Sequence, residues 1–188
     1  VPKSSTPARQ AIINATAELI CAHGVTGTTI SQIIKSSGTS VGAIYHHFAN
    51  RNQVVAEVAR QAISWPLSSL AAYRCNPRSP EELLGFAIDA LRSAPEVGDL
   101  LIQLGAGAAT DDELGQLLRQ EFVQLRVGLE DTMNAWARIN NISPKLLAGR
   151  AQLLVGLALG FVSQRRLLSN FDEDAYLRSA TAAMKVAS

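Results

Sequence analysis

From Leu114 to Trp136 an apolar side chain returns every three or four residues, as Leu114, Leu118, Phe122, Leu125, Leu129, Met133 and Trp136. That spacing keeps all seven on one face of an α-helix, whereas a strand would throw them alternately to two faces. Helix-start signals recur along the chain. Ser79-Pro80-Glu81-Glu82 places a capping hydroxyl before a proline, with a glutamate three residues after the cap. Ser93 with Glu96 and Thr110 with Glu113 repeat the spacing, and Ser143-Pro144 and Asp172-Glu173-Asp174 open two more helices. No alternating run of β-branched residues competes with these signals. The spacing predicts an all-α fold of about nine helices. They fall near residues 7–23, 29–36, 40–46, 51–74, 80–92, 95–107, 111–139, 144–169 and 173–186. Pro66 should kink the fourth rather than end it, because apolar spacing resumes at Leu67 and Leu70.

Composition narrows the function classes. Of 188 residues, 47% are hydrophobic and 18% charged, with a net charge of +1, which excludes a disordered chain. So apolar a chain of this length should hide some surface against a second copy. Cys21 and Cys75 are too few for a disulfide framework or a thiolate metal cage. The first residues are polar, and the longest apolar run, Leu153 to Val162, is shorter than the roughly 20 residues that span a bilayer. The expectation is a cytoplasmic protein with no membrane partner, no metal and no cofactor. Charge is uneven. Residues 1–60 hold five basic and two acidic side chains, a net +3, while the remainder holds 12 basic and 14 acidic, a net −2. A basic end on a near-neutral chain suggests an anionic partner for that end.

The first fifty residues form a recognisable unit. A first helix with Ile12, Ala15, Thr16, Leu19 and Ile20 on one face is closed by Gly24. Thr29 and Gln32 then have capping-box spacing, and a brief second helix turns Ile30, Ile33 and Ile34 inward. Ser37-Gly38-Thr39-Ser40 is a tight turn ending in a new cap, and the third helix runs Val41 to Phe48. Two short helices joined by such a turn and braced by a third are a helix-turn-helix. Gly42 and Ala43 would let the backbone approach base edges, with the Ala43 methyl against a thymine methyl. Thr39 and Ser40 could donate to phosphate or base, Tyr45 and His46 to flanking phosphates. The start of the fourth helix, Asn50-Arg51-Asn52, offers amides and a cation to another phosphate. Lys3 and Arg9 are expected in a disordered tail, with a flexible arm that tracks the DNA backbone as the alternative.

Two sharper motifs compete. Gly38-Thr39-Ser40-Val41-Gly42 matches the nucleophile elbow of serine hydrolases, but that motif needs a strand before it and an acid then a histidine after it. A helix is expected before it, and His46 and His47 follow with no acid between. His46 and His47 themselves diverge by about 100° on a helix and cannot grip one ion.

The stretch from Arg9 to Val55 resembles the N-terminal domain of the TetR family of bacterial transcriptional regulators. The resemblance is carried by Ala15, Leu19, Gly24, Thr28, Thr29, Ile33, Gly38, Ser40, Gly42, Ile44, Tyr45, His46, Phe48, Arg51 and Val54. Thr39 departs from the commoner valine, Ser37 from alanine, His47 from a second aromatic and Arg51 from lysine. The resemblance implies DNA contact through Thr28, Thr29, Thr39, Ser40, Val41, Gly42, Ala43, Tyr45, His46 and Arg51. It implies a DNA-binding domain over 1–50 and a ligand-binding and dimerisation domain over 51–188, whose fourth to seventh helices enclose a small-molecule pocket. Candidate pocket residues are Trp65, Phe86, Leu101, Leu104, Phe122, Leu125 and Trp136, and the low charge of these helices suits an apolar or amphipathic effector. The last two helices would form a homodimer interface. In support, Leu153 to Val162 is apolar on every side, with Gly156 and Gly160 four apart for close approach and Leu153, Leu157 and Phe161 beside them. The reading is a dimeric repressor of double-stranded operator DNA, released by its effector and without enzymatic activity. The alternatives are an activator of the same family or an all-α enzyme that keeps a vestigial helix-turn-helix.

Overall fold

Capping chemistry decides where most of the helices begin. The computed structural model describes residues 6–73 and 76–186, and the side chains of 64–72 are not considered. The described helices are α1 (Pro7–Gly27), α2 (Ile30–Ser37), α3 (Val41–His47), α4 (Arg51–Ala72), α5 (Pro80–Ser93), α6 (Pro95–Ala108), α7 (Asp112–Ile139), α8 (Arg150–Leu167) and α9 (Glu173–Met184). A single 3-10 turn, Pro144–Leu147, precedes α8, and no strand occurs among the described residues. They form two compact units. The first takes residues 1–62 and 100–120, the second 63–99 and 121–188. The domain boundary expected at residues 50/51 cuts the chain differently, because the first unit also takes in the C-terminal half of α6 and the start of α7.

In the first unit, α1 packs on α2 and α3. Ile12, Ile20, Ile33, Ile44 and Val54 are fully buried, so the apolar stripes read from the sequence do meet in one core. Thr29 and Gln32 form the predicted capping box, Gly38 closes α2 in the left-handed conformation, and the Ser40 hydroxyl accepts from the Ala43 amide to start α3. Gly24 has φ 73° but ψ 171°, outside the left-handed helical well. The chain therefore kinks there and takes one further turn to Gly27.

In the second unit, α5 packs on α8 and α9, which pack on each other. The Ser79–Glu82 capping box forms, and Asp172 caps α9 by accepting from Ala175 N at 2.8 Å. Phe161, Phe171 and Tyr176 gather with centroids 5.4–5.8 Å apart, Phe171 edge to face with each of the other two.

Three expected starts are corrected. α5 runs through Ser93, whose hydroxyl donates back to the Asp89 carbonyl at 2.8 Å, so α6 begins at Pro95 without the Ser93–Glu96 box. Asp111 rather than Thr110 caps α7, accepting from Leu114 N at 3.0 Å. Ser143 makes no side-chain cap, and Gly149 at φ 78° separates the 3-10 turn from α8, which starts six residues later than expected. The fourth helix continues through Pro66 to Ala72. Taken together, Pro144–Leu167 is long and apolar enough to cross a membrane, with mean hydropathy 1.6, against the expectation from its shorter uninterrupted run. α8 itself is interrupted from that turn by Gly149 and carries Arg150, Arg165 and Arg166.

Candidate nucleic-acid interface

α3 is seven residues long and holds one fully buried side chain, Ile44, which anchors it in the core of the first unit. One turn away, the opposite face is open. Val41 is 54% and Tyr45 55% exposed, and Ser40, Gly42 and His46 are exposed beside them. A Cβ on Gly42 would meet only the Ser40 hydroxyl, at 3.8 Å. A short helix that turns a small-residue N-terminus and an exposed tyrosine to solvent has the shape required to enter a major groove. Ser40, the serine of the elbow motif, follows a helix and spends its hydroxyl on the Ala43 amide, at 3.1 Å.

The end of α3 is fastened to the start of α1. His47 Nε2 lies 3.2 Å from the Thr6 hydroxyl, which also caps α1. Arg9 sits over the Phe48 ring at 5.3 Å and pairs with Glu57 at 3.0 Å. Arg9 is thus a structural cation in the first turn of α1, not part of a tail. Lys3 lies outside the described residues.

Three expected DNA contacts are placed elsewhere. Thr28 is 1% exposed and donates its hydroxyl to the Gly24 carbonyl at 2.9 Å, so it serves the α1–α2 connection. The Thr39 hydroxyl is within 2.7 Å of that of Ser37 inside the turn. Arg51 Nε donates to the Thr28 carbonyl at 2.5 Å, one terminal nitrogen donates to the Val25 carbonyl, and the other to Asn52 Oδ1 at 3.3 Å. The first turn of α4 is also partly closed, since Asn50 Oδ1 accepts from Gln53 N and Gln53 Oε1 from Ala49 N. Thr29 stays exposed at the head of α2 with its hydroxyl in the capping box, and Ala43 is half-buried.

Residues 12–58 match the family described as bacterial regulatory proteins, tetR family. The repressor KstR2 of Mycolicibacterium smegmatis is 31% identical over 64 residues, 34% of this chain and 31% of that one. A Lactococcus lactis protein described as an HTH-type transcriptional regulator in the lacX 3′ region is 27% identical over 178 residues, 87% of this chain and 89% of its own. Among solved structures, Salmonella enterica GusR superposes with TM-score 0.79 at 16% identity, covering 97% of this chain and 96% of GusR. FadR of Bacillus subtilis, solved with stearoyl-CoA, superposes with TM-score 0.74 at 17% identity, covering 93% and 96%. Residues 12–58 thus carry a domain like that of the tetR regulators, and the whole chain shares the fold of the solved structures named above. The match and the descriptions of these relatives support a transcriptional regulator.

Outside the helix-turn-helix, the candidate residues divide unevenly. Of the pocket candidates, Leu101 and Leu104 belong to the first unit, Leu104 at 1% exposure. Phe86, Phe122, Leu125 and Trp136 belong to the second, where Phe86 is exposed and meets the Tyr73 ring edge-on at 5.6 Å. The Trp65 side chain lies outside the described residues. The grooves on the described surface run along other residues, such as one of about 170 Å³ lined by Asn52, Val55, Arg60 and Leu117 in the first unit.

The interface candidates are corrected in part. Phe161 is fully buried in its own aromatic cluster, and the Tyr176 hydroxyl donates to the Leu157 carbonyl at 2.6 Å. Burial holds Tyr176 protonated above the usual tyrosine range. A Cβ on Gly160 would stand 2.9 Å from that same hydroxyl, so Gly160 makes room for Tyr176 within the subunit. Leu153 and Gly156 remain exposed, and nothing approaches the Gly156 position within 4 Å. Sequence reasoning misplaced Arg9 in a tail and missed the carbonyl-binding role of Arg51. Their partners are distant in sequence, and no local spacing announces them.

Proposed function

We propose that this chain is a TetR-type regulator, a dimeric repressor whose α3 enters the major groove of a pseudo-palindromic operator and whose grip is released by an apolar or amphipathic effector. The observation that carries the reading is the solvent face of α3, where Ser40, Val41, Gly42, Tyr45 and His46 stand exposed around a buried Ile44. In this reading residues 1–50 read DNA and 51–188 bind the effector and the second copy, in the cytoplasm. α8 supports the dimer. Only 28% of the most apolar 18-residue window within Pro144–Leu167 is buried in one subunit, with Leu153 40% and Leu167 79% exposed on α8 and Leu168 47% exposed just after it. Pairing two such faces covers them and presents two α3 helices to half-sites about 34–36 Å apart or somewhat more. The acyl ligand in FadR and the low charge of the second unit's apolar helices favour a greasy effector here too. Effector binding would then shift the population toward a state in which the two α3 helices no longer fit both half-sites. Operator DNA must weaken effector binding by the same factor.

The test is selection of genomic fragments by the purified protein at near-physiological salt, read by sequencing. An enriched pseudo-palindrome is the expected result. If ligand-stripped protein enriches nothing, the DNA-binding reading fails.

A further inference from the structure

We infer that Arg51 is a positioning residue for DNA binding, which locks the α1–α2 connection to the first turn of α4 instead of reaching a phosphate. The inference rests on the DNA-binding reading above. After the kink at Gly24, α1 ends on the carbonyls of Val25 and Thr28, which in a continuing helix would receive the amides of Thr29 and Gln32. Those two amides are committed to the start of α2: Thr29 N donates to Gln32 Oε1 at 2.8 Å and Gln32 N to the Thr29 hydroxyl at 3.3 Å. The Thr28 amide turns back to the Val25 carbonyl at 3.3 Å. The Arg51 guanidinium replaces the missing donors, reaching the Thr28 carbonyl through Nε and the Val25 carbonyl through a terminal nitrogen. With the second terminal nitrogen on Asn52, each of its three nitrogens has a partner in the protein.

The same segment is held from another side. Val25 is 4% exposed, and its side chain occupies the space beside Gly107 of α6. Thr28 is buried and bonded to Gly24. Residues 24–28 are thus fixed by α4 and α6 together, and Thr29, the next residue, is the cap that starts α2. α2 leads through the Gly38 turn into α3. A guanidinium can hold two carbonyls at once through its rigid fork; a lysine ammonium carries the same charge to a phosphate but lacks the fork. The two carbonyl bonds thus supply a physical use for arginine, rather than lysine, at this position.

The experiment compares wild type, Arg51→Lys and Arg51→Ala as full chains, with thermal melts to establish folding. Affinity is measured over a series of salt concentrations for a selected operator fragment and an unrelated fragment, and amide exchange across residues 25–34 is followed without DNA. The expected result is a roughly tenfold or greater loss of operator affinity in both variants. The unrelated fragment keeps its salt slope, and exchange is faster at Thr29, Gln32 and Ile33 in both. Wild-type behaviour of Arg51→Lys, with a slope reduced by about one charge in Arg51→Ala, would identify a phosphate contact and overturn the proposal. If Arg51→Ala does not fold, Arg51→Lys against wild type carries the same decision. If wild type binds no DNA, the DNA-binding reading is lost, and exchange alone decides the clip: released in Arg51→Lys it stands, unchanged it falls.

Discussion

The Val25 side chain fills the space that a Cβ on Gly107 would need: built there, that carbon would stand 2.6 Å from Val25 Cγ2 and 2.7 Å from Val25 Cβ. The backbone of α6 therefore rides directly on the last turn of α1, and glycine is required for contact rather than for its dihedral freedom. Gly107→Ala should destabilise the protein, because overpacking typically costs about 1–3 kcal/mol, offset by up to about 1 kcal/mol from alanine's better helix propensity. Val25→Ala opens the space again, so the double variant should be more stable than the two single losses predict, with a coupling of about 1 kcal/mol or more. Denaturant unfolding of all four proteins measures the coupling. Simple additivity would mean that the two positions do not meet.

Val41 and Tyr45, one turn apart on the open face of α3, should fail in different ways. In the proposed reading, Tyr45→Ala removes a neutral hydroxyl and ring that would rest on the backbone of DNA. Affinity should fall for operator and unrelated DNA alike, with the salt slope kept, since slope counts cationic contacts. Val41→Ser removes methyl groups that suit a thymine methyl and should change the preferred base at one position in each half-site, by about 1–3 kcal/mol. Repeating the fragment selection with each variant separates the two. A shifted base preference in Tyr45→Ala would reverse the assignment.

How much of this was legible in the sequence follows the distance between partners. Thr29 with Gln32, Ser40 with Ala43 and Ser79 with Glu82 are three residues apart, and all three caps form as their spacing predicts. The α7 stripe was equally readable: Leu114, Leu118, Leu125, Leu129 and Met133 are buried. The Thr110–Glu113 spacing pointed to the wrong cap, because the neighbouring Asp111 carboxylate takes the Leu114 amide. Arg51 was misread for a different reason. Its carbonyl partners lie 23 and 26 residues away, and only the kink at Gly24 exposes them to it. Gly160 likewise matched a pattern for helix pairing, while Tyr176, 16 positions on, takes the space it leaves.

Glu82 should lend the fold a modest dependence on pH. The Ser79 amide, at 2.9 Å from its carboxylate, holds its pKa below the usual value, with help from Arg78 at 3.2 Å. A lowered folded-state pKa means that the stabilisation is present above the ordinary glutamate range and lost as pH falls through the lowered value. Glu82→Gln should therefore cost stability near neutral pH, by less than about 1 kcal/mol because the group is half exposed. The gap between variant and wild type should close toward about pH 3. Urea unfolding at the two pH values checks this; a gap independent of pH would assign the cap to geometry alone.

The two glycines of α8 should separate subunit folding from subunit pairing. Gly156 faces open space, so Gly156→Arg adds a charge and bulk to the exposed face without disturbing its own chain. If α8 pairs with a second copy, this variant should melt at wild-type temperature when dilute yet elute as a monomer, and Leu153→Arg should behave alike. Gly160→Ala instead presses on the Tyr176 hydroxyl and should lower the melting temperature, because the tyrosine must leave the Leu157 carbonyl or shift within the aromatic cluster. Removing the hydroxyl tests that account directly: Tyr176→Phe in the Gly160→Ala background should recover part of the lost stability, at the expense of about 1 kcal/mol for the hydrogen bond. Sedimentation across a concentration series, paired with melts, reads both properties. A Gly156→Arg protein that still dimerises would move the interface away from this face of α8, whatever the Gly160 variants do.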